Sequence, residues 1–148
     1  MKIIKLIYDR YENDIGFAEG NYEDHEHEII KKINDKKISN DRKINITTWG
    51  VKKHLPHDCQ IIFDATLFTT KLDGEIKNLT GLDEKIQKSV INHPKFDIII
   101  ENILTNIETY NYENIGIICN YGKHRSVAWA ELLKKLYYPK SNIKHIGI

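Results

Sequence analysis

The last third of the chain constrains the fold most strongly, because it places two helices around one buried strand. An amphipathic helix that begins at Pro94 is predicted by apolar residues at helical spacing, namely Phe96, Ile99, Ile100, Ile103, Leu104 and Ile107. The Ile-rich run 114–119 has the composition of a strand buried on both faces. A second amphipathic helix is expected from Arg125 to Tyr138, where a proline stops it.

The same alternation extends through the rest of the chain. Strands are predicted at residues 2–8, 45–49, 60–64 and 142–148, with a helix at 26–37 after a polar loop at 9–21. A short helix opens at Thr80 and is expected to turn Leu82, Ile86 and Val90 toward the core. Strands that alternate with helices imply a three-layer α/β domain with a mostly parallel sheet. We expect a single domain over residues 1–148, because no Gly/Ser-rich or Pro-rich linker divides the sequence.

Composition excludes several classes of protein. The charged fraction is 29% and the formal net charge is +1, so nothing global indicates a nucleic-acid-binding or membrane protein. No apolar stretch approaches the roughly 20 residues that cross a bilayer. Cys59 and Cys119 are too few for a disulfide framework, and the N-terminus shows no secretion signal. A cytoplasmic, reducing location is therefore expected.

Charge is unevenly distributed along the chain. Residues 9–28 carry eight acidic side chains, whereas residues 123–144 carry six basic ones. Only three of the 22 basic residues are arginines, Arg10, Arg42 and Arg125, a bias that an A/T-rich coding sequence produces. Because arginine offers a planar fork of donors that lysine lacks, each arginine is a candidate for a role that lysine cannot fill.

The segment Cys119–Ser126 is the most informative motif, because it lies between the predicted buried strand and the last helix. Ligands of α/β proteins bind at the carboxyl ends of parallel strands, where the first N–H groups of the following helix attract an anion. Gly122 allows close backbone approach, Lys123 adds positive charge, and Arg125 offers a fork that matches two phosphate oxygens. Tyr121 could stack on a base or a sugar. The segment predicts a phosphate-binding turn.

The spacing Cys-x5-Arg-Ser also matches the signature loop of cysteine phosphatases. In such an enzyme the thiolate of Cys119 would attack phosphorus, Arg125 would hold the phosphoryl oxygens, and Ser126 would activate the leaving thiolate. Asp64 or Asp83 would act as the general acid. A small buried cysteine that ends a strand explains the same residue equally well. The residues alone leave both interpretations open.

Other motifs give weaker signals. The segments 24–28 and 54–59 contain metal-ligand residue types, but neither has the spacing of a closed four-ligand site. Both are interpreted as solvated polar segments. Neither a Walker-type nucleotide motif nor a Gly-x-Ser-x-Gly elbow occurs in the sequence. We therefore expect no metal and no cofactor.

Four motifs in the same order resemble the C-terminal domain of the RapZ family. Residues 119–126 are similar to its Cys-Thr-Gly-Gly-Lys/Gln-His-Arg-Ser loop, and residues 48–58 to its Ser-Phe-Gly-Phe-Lys-x-Gly-x-Pro-x-Asp segment. Residues 62–64 resemble its Val-Phe-Asp strand, and residues 79–83 its Thr-Gly-Leu-Asp helix start. His145 falls where the family has a His-Arg pair. The resemblance covers about residues 46–148 and leaves residues 1–43 uncovered.

The resemblance implies a regulatory adapter domain rather than an enzyme. Members of the family bind small regulatory RNA and a ribonuclease, and they sense an amino-sugar phosphate at this loop. By this likeness the expected partners are a phosphorylated small molecule, structured RNA and an RNA-processing protein, and a homo-oligomer is left open. The family's N-terminal P-loop domain has no counterpart in the sequence, so a stand-alone domain without ATP binding is expected.

The ligand site implied by the resemblance joins the turn to three residues elsewhere in the chain: Cys119, Asn120, Tyr121, Gly122, Lys123, His124, Arg125, Ser126, Asp64, Thr80 and His145. Some positions depart from the family pattern. Asn120 and Tyr121 replace Thr-Gly, and Thr66 and Ile146 stand where the family has arginines. The phosphate half of the site is thus retained, while the half that would select the sugar differs. A changed ligand is expected.

Overall fold

The computed structural model describes residues 2–6, 41–68 and 78–148. Its described strands form one sheet, made of β1 (Lys2–Lys5), β2 (Asn45–Gly50), β3 (Ile61–Asp64), β4 (Asn114–Cys119) and β5 (Asn142–His145). The strands lie in the order β1-β3-β4-β2-β5, and every neighbouring pair is parallel. β4 takes the middle position, which suits its Ile-rich run because that strand is buried on both faces.

The described helices are α1 (Glu84–Ile91), α2 (Phe96–Tyr110) and α3 (Arg125–Leu136). The Asp83 side chain caps α1 by accepting a hydrogen bond from the Lys85 N–H at 2.8 Å. At the end of α2, Asn111 has a left-handed backbone with a φ of 52°, and its N–H donates to the Ile107 carbonyl. α3 ends shortly before Pro139, which cannot continue a helix.

The larger hydrophobic cluster packs these helices against one face of the sheet. The apolar stripe of α2 is buried along its whole length, from Phe96 to Ile107. Trp129 of α3 stacks on Phe96 and meets Phe68 edge-on, both at centroid distances of 5.2 Å. The sheet contributes alternate residues of its central strands: Ile46, Ile61, Phe63, Ile115 and Ile117.

A smaller cluster of Trp49, Cys59, Ile62 and Ile118 lies on the opposite face. The chain moves across the sheet in one direction from β3 to β4 and from β4 to β5, but in the other direction from β2 to β3. Right-handed crossovers therefore place the helices on one face and the connection 51–60 on the other. Packing on both faces of a parallel sheet is consistent with the predicted three-layer α/β domain.

The carboxyl ends of the strands place the predicted site at one edge of the sheet. β4 ends at Cys119, between Gly50 at the end of β2 and Asp64 at the end of β3. Because the strands are parallel, all these ends face the same edge, where α/β proteins bind ligands. The turn 119–126 leaves this edge from the middle strand.

The α/β class, the parallel sheet and the apolar stripe of α2 are confirmed. Leu82 does not face the core but is 53% exposed, because α1 begins two residues beyond it. The last strand ends at His145 instead of continuing to Ile148, and α3 stops at Leu136. The predictions for residues 9–37 lie outside the described residues. Of the described helices, none has the length and apolarity that a bilayer span requires.

Candidate anion-binding site

Gly122 is the tightest point of the turn that joins β4 to α3. Its backbone has a φ of 73°, a left-handed conformation that residues with a Cβ atom rarely adopt. A Cβ atom there would lie 2.6 Å from the nitrogen of Gly50, so the two backbones are in direct contact. Gly147 comes equally close, since its Cβ atom would lie 2.4 Å from the Gly122 carbonyl oxygen. Three glycines thus allow three segments of backbone to meet at the turn.

The first half of the turn extends the pairing between β2 and β4. The Val51 N–H donates to the Cys119 carbonyl at 2.9 Å, and the Lys52 N–H donates to the Asn120 carbonyl at 3.0 Å. These bonds continue the register that pairs Gly50 with Cys119. The position of the turn relative to the sheet is therefore fixed by backbone contacts.

The start of α3 presents backbone donors next to this turn. The first bond of the helix runs from the Ala128 N–H to the His124 carbonyl at 2.9 Å. The N–H groups of residues 125–127 therefore have no partner within the helix, and the His124 side chain makes no capping bond. Together with the positive end of the helix dipole, such groups attract an anion. Lys123 is exposed immediately before them and adds a cation.

The segment of Thr80 and Gly81 closes one side of the helix start. The Gly81 N–H donates to the Lys123 carbonyl at 2.7 Å. A Cβ atom on Gly81 would lie 2.3 Å from the Ala128 nitrogen, so only glycine permits this approach. The Thr80 hydroxyl accepts the Leu82 N–H at 3.2 Å. The structure thus brings Thr80 next to the turn, although the two are far apart in sequence.

The Cys119 thiol lies beneath the turn and is only 2% exposed. Its Sγ atom accepts a hydrogen bond from the Gly122 N–H at 3.3 Å and lies 3.1 Å from the Ser126 Oγ atom. Ser126 is fully buried in the first turn of α3. The thiol and the hydroxyl therefore connect the two ends of the turn from below.

Arg125 is directed toward the loop that follows β3. Its Nη1 atom lies 3.2 Å from the Ala65 carbonyl oxygen, 2.6 Å from that of Thr66 and 3.0 Å from that of Phe68. The sequence predicts a guanidinium that holds phosphate oxygens, whereas here one of its amino groups is engaged by the backbone. Asp64 stabilises the same loop, because its Oδ1 atom accepts the Thr66 N–H at 2.9 Å. Both side chains thus shape the wall beside the turn.

His145 is separated from β4 by β2, and its ring is held from two sides. Nδ1 lies 2.6 Å from the Thr48 hydroxyl, and Nε2 donates to the Glu131 carboxylate at 3.0 Å. Thr48 is fully buried, and the side chains of His145 and Glu131 are mostly buried. Among the described residues, the hydrogen bonds of the ring reach β2 and α3 and not the turn.

Tyr121 and Asn120 form the outer side of the turn. The Tyr121 side chain is 51% exposed, whereas Asn120 is partly buried. The Nζ atoms of Lys52 and Lys53 lie 5.6 and 5.9 Å from the centre of the tyrosine ring. The turn therefore carries an aromatic ring and two further cations on its solvent side.

The segment 54–59, which contains metal-ligand residue types, lies within the described residues. The His54 Nδ1 atom accepts a backbone N–H within its own turn at 3.0 Å. Burial, and secondarily the Asp58 carboxylate, raises the pKa of the Cys59 thiol, which disfavours the thiolate that a metal would require. In the described ranges, no group of three or more potential ligands is placed to hold a metal ion. Residues 24–28 lie outside those ranges.

Sequence reasoning missed residues that hold this site together. Gly50 indicated only the end of a strand, and its contact with Gly122 depends on the register between β2 and β4. Thr48 and Glu131 were also missed. The sequence signal that could have found them was a polar side chain within an otherwise apolar strand or helix. Such a side chain needs a hydrogen-bond partner when it is buried.

A comparison with known protein families matches the part of the chain that contains this site. The family model described as the RapZ C-terminal domain matches residues 42–146. The matched range holds β2 to β5, all three described helices and every residue predicted for the ligand site. Because the match spans most of the sequence, the chain belongs to the family of RapZ C-terminal domains.

Proposed function

We propose that this chain is a non-catalytic binding module that holds a phosphorylated ligand at the turn 119–126. The observation that carries the proposal is the start of α3, where the exposed Lys123 lies directly before the positive end of the helix dipole and the Arg125 N–H has no partner within the helix. Bonds from Val51 and Lys52 fix the preceding half of the turn, so little ordering is needed when a ligand arrives.

The chemistry of the turn fits a sugar phosphate, a nucleotide or a phosphate of RNA. Each of these offers anionic oxygens to the Lys123 ammonium and to the Arg125 N–H at the start of α3. Lys52 and Lys53 continue the positive charge on the solvent side of the turn. A longer polyanion gains contacts with them, so RNA binding should weaken as salt rises.

Membership of the RapZ C-terminal domain family supports an adapter that binds other molecules. We infer structured RNA and an RNA-processing protein as its regulatory partners, and a homo-oligomer is compatible with this role. The two cysteines described are both buried and unpaired. A reducing cytoplasm is the compartment that suits them.

The same geometry disfavours catalysis. A phosphoryl-transfer nucleophile must reach phosphorus, yet the Cys119 side chain is only 2% exposed. The Nη1 atom of Arg125 already contacts three backbone carbonyls, so this amino group has no further N–H to donate to phosphoryl oxygens. Of the two candidate general acids, Asp64 accepts a bond in its own loop and Asp83 caps α1. Each group that chemistry would need already has a structural partner.

One observation nevertheless favours a cysteine phosphatase as the second candidate. The Gly122 N–H donates to the Cys119 Sγ atom, and the Ser126 Oγ atom lies 3.1 Å from that sulfur, so the thiol and the hydroxyl of the Cys-x5-Arg-Ser motif are in contact. This alternative predicts hydrolysis of an aryl phosphate such as p-nitrophenyl phosphate, abolished by Cys119→Ser. Equal rates for the parent protein and Cys119→Ser would exclude it.

Isothermal titration calorimetry with inorganic phosphate and with glucosamine 6-phosphate tests the binding proposal. Lys123→Glu reverses the charge beside the helix start and should weaken binding roughly tenfold or more at low ionic strength. Lys43→Glu is the matched control, because Lys43 is exposed just before β2, at the opposite edge of the sheet. The proposal fails if the folded protein binds neither compound, or if the two variants weaken binding equally.

The RNA part of the proposal has its own test. Filter binding of a structured RNA at two salt concentrations should give a lower affinity at the higher salt. Lys123→Glu should reduce the affinity and the salt dependence together, and Lys43→Glu should leave both near the parent values. An affinity that is independent of salt would contradict binding through these phosphate contacts.

A further inference from the structure

The Tyr121 ring is exposed on a turn whose other side is buried. Its side chain is 51% exposed, whereas Cys119 and Gly122 on the same turn are buried. The ring therefore adds nothing to the hydrophobic core. An aromatic side chain exposed at a predicted ligand turn is a candidate for ligand contact.

The backbone beneath this ring is held firmly. The Lys52 N–H donates to the carbonyl of Asn120, the residue before Tyr121. A Cβ atom on Gly50 would lie 2.3 Å from the Tyr121 carbonyl carbon, so β2 packs directly on the tyrosine backbone. The ring is thus presented from a fixed position, and a partner that stacks on it has little backbone entropy to remove.

Two ammonium groups lie over the ring, those of Lys52 at 5.6 Å and Lys53 at 5.9 Å from its centre. Neither lysine forms an ion pair with a carboxylate among the described residues. Their charges are therefore available to an incoming anion. The lysine side chain carries hydrogen-bond donors and no acceptor, so Lys52 and Lys53 offer only donors to a ligand at the ring.

We propose that Tyr121, Lys52 and Lys53 form a stacking surface for the base of a nucleotide whose phosphate is held by the turn 119–126. The inference rests on the proposed phosphate site and specifies its ligand as a nucleoside phosphate. The base stacks on the tyrosine ring, and the lysines contact its acceptor atoms or a neighbouring phosphate. A free nucleotide and the phosphorylated end of an RNA strand share this chemistry.

A base suits these surroundings better than a sugar does. Every base offers a flat π face, and stacking on an aromatic side chain is favourable whatever the base. The ammonium groups of the two lysines can donate to the ring-nitrogen or carbonyl acceptors that every base carries.

Calorimetric titrations with adenosine 5′-monophosphate and ribose 5-phosphate test the proposal, because the two compounds differ by the base alone. The parent protein should bind the nucleotide about tenfold more tightly. Tyr121→Leu should remove that preference, and Tyr121→Phe should keep it. Tyr110→Leu is the matched control, since Tyr110 is also exposed and also lies near a lysine, with the Lys2 Nζ atom 4.5 Å from its ring centre.

A comparison of oligoadenylates that carry a 5′-phosphate or a 5′-hydroxyl distinguishes the two sources of the ligand. If the phosphorylated strand binds more tightly than the mononucleotide, the result supports a strand end as the ligand. If the two bind equally, the result supports the free nucleotide as the ligand. Equal affinity for the nucleotide and ribose 5-phosphate would overturn the stacking surface while leaving the phosphate site intact. Failure of both compounds to bind the folded protein would overturn the phosphate site as well.

Discussion

The Nη1 atom of Arg125 lies 2.6 Å from the carbonyl oxygen of Thr66, which joins the first residue of α3 to the loop after β3. The same Nη1 atom also contacts the carbonyl oxygens of Ala65 and Phe68. The ring of Phe68 is buried against Trp129, so the loop is held by its backbone on one side and by the core on the other. The guanidinium therefore positions the wall of the site.

Replacing Arg125 by lysine should destabilise the protein. A single ammonium cannot reproduce the guanidinium contacts, and each buried carbonyl left unpaired is costly. We expect the free energy of unfolding to fall by about 1–3 kcal/mol in urea denaturation. Lys123→Ala, an exposed neighbour, should change it by less than about 0.5 kcal/mol. Equal stability of Arg125→Lys and the parent would show that the carbonyl contacts carry no weight.

Gly122→Ala should be among the most damaging substitutions at the turn. It introduces a Cβ atom at a φ of 73° and 2.6 Å from the Gly50 nitrogen. We expect a loss of about 3 kcal/mol or more, because strain and a backbone clash add together. Asn111→Ala is the matched control, since that residue is also left-handed, and it should cost about 1 kcal/mol. Similar costs for the two variants would argue against close packing of the glycines.

Thr48→Val should reveal the contribution of the contact between Thr48 and His145. The substitution keeps the side-chain shape but removes the hydroxyl that lies 2.6 Å from Nδ1 of the buried ring. We expect a loss of about 1–2 kcal/mol in thermal or chemical denaturation. Thr47→Val, the next residue on β2, should be neutral, because Thr47 is only partly buried and valine favours strands. A neutral Thr48→Val would contradict this contact.

Stability should decrease in alkaline solution because of Tyr138. Burial, followed by the hydrogen bond that its hydroxyl donates to Glu108, raises the pKa of Tyr138 above its ordinary value. The unfolded tyrosine ionises near pH 10 while the folded one stays protonated, so the stabilisation is complete below about pH 10 and is lost above it. Denaturation curves between pH 8 and pH 11 should show this loss.

Tyr138→Phe separates this effect from general alkaline unfolding. The variant should lose about 2 kcal/mol at neutral pH, because it lacks the bond to Glu108. Its stability should then fall less steeply above pH 10 than that of the parent protein. Burial also raises the pKa of Tyr137, so some slope should remain in the variant. Identical slopes in the two proteins would exclude a role for Tyr138.

Periodicity predicted the parts of the fold that depend on local pattern. The stripe from Phe96 to Ile107 and the run 114–119 were predicted correctly, since each is long and strongly apolar. The prediction that Leu82 faces the core was wrong, because Asp83 caps the helix and sets its start beyond Leu82. The capping side chain, not the apolar spacing, decides where α1 begins.

The site was harder to predict, because its contacts join residues that are distant in sequence. Scarcity of arginine marked Arg125 as a candidate for a role that lysine cannot fill, and its Nη1 atom contacts carbonyls of the β3 loop, which the sequence did not indicate. Arg42 donates to the carbonyl of Tyr112 at 2.6 Å, a partner that the sequence did not indicate. Which oxygens a guanidinium meets depends on tertiary packing, which a single sequence does not contain.

The proposed phosphate site at the start of α3 is tested most directly by a nuclear magnetic resonance titration of the ¹⁵N-labelled protein with inorganic phosphate. We predict saturable shifts of the backbone N–H signals that are largest for residues 123–127, and smaller responses in Lys123→Glu. Shifts spread evenly over exposed lysines, or the absence of shifts at residues 123–127, would contradict phosphate binding at this turn.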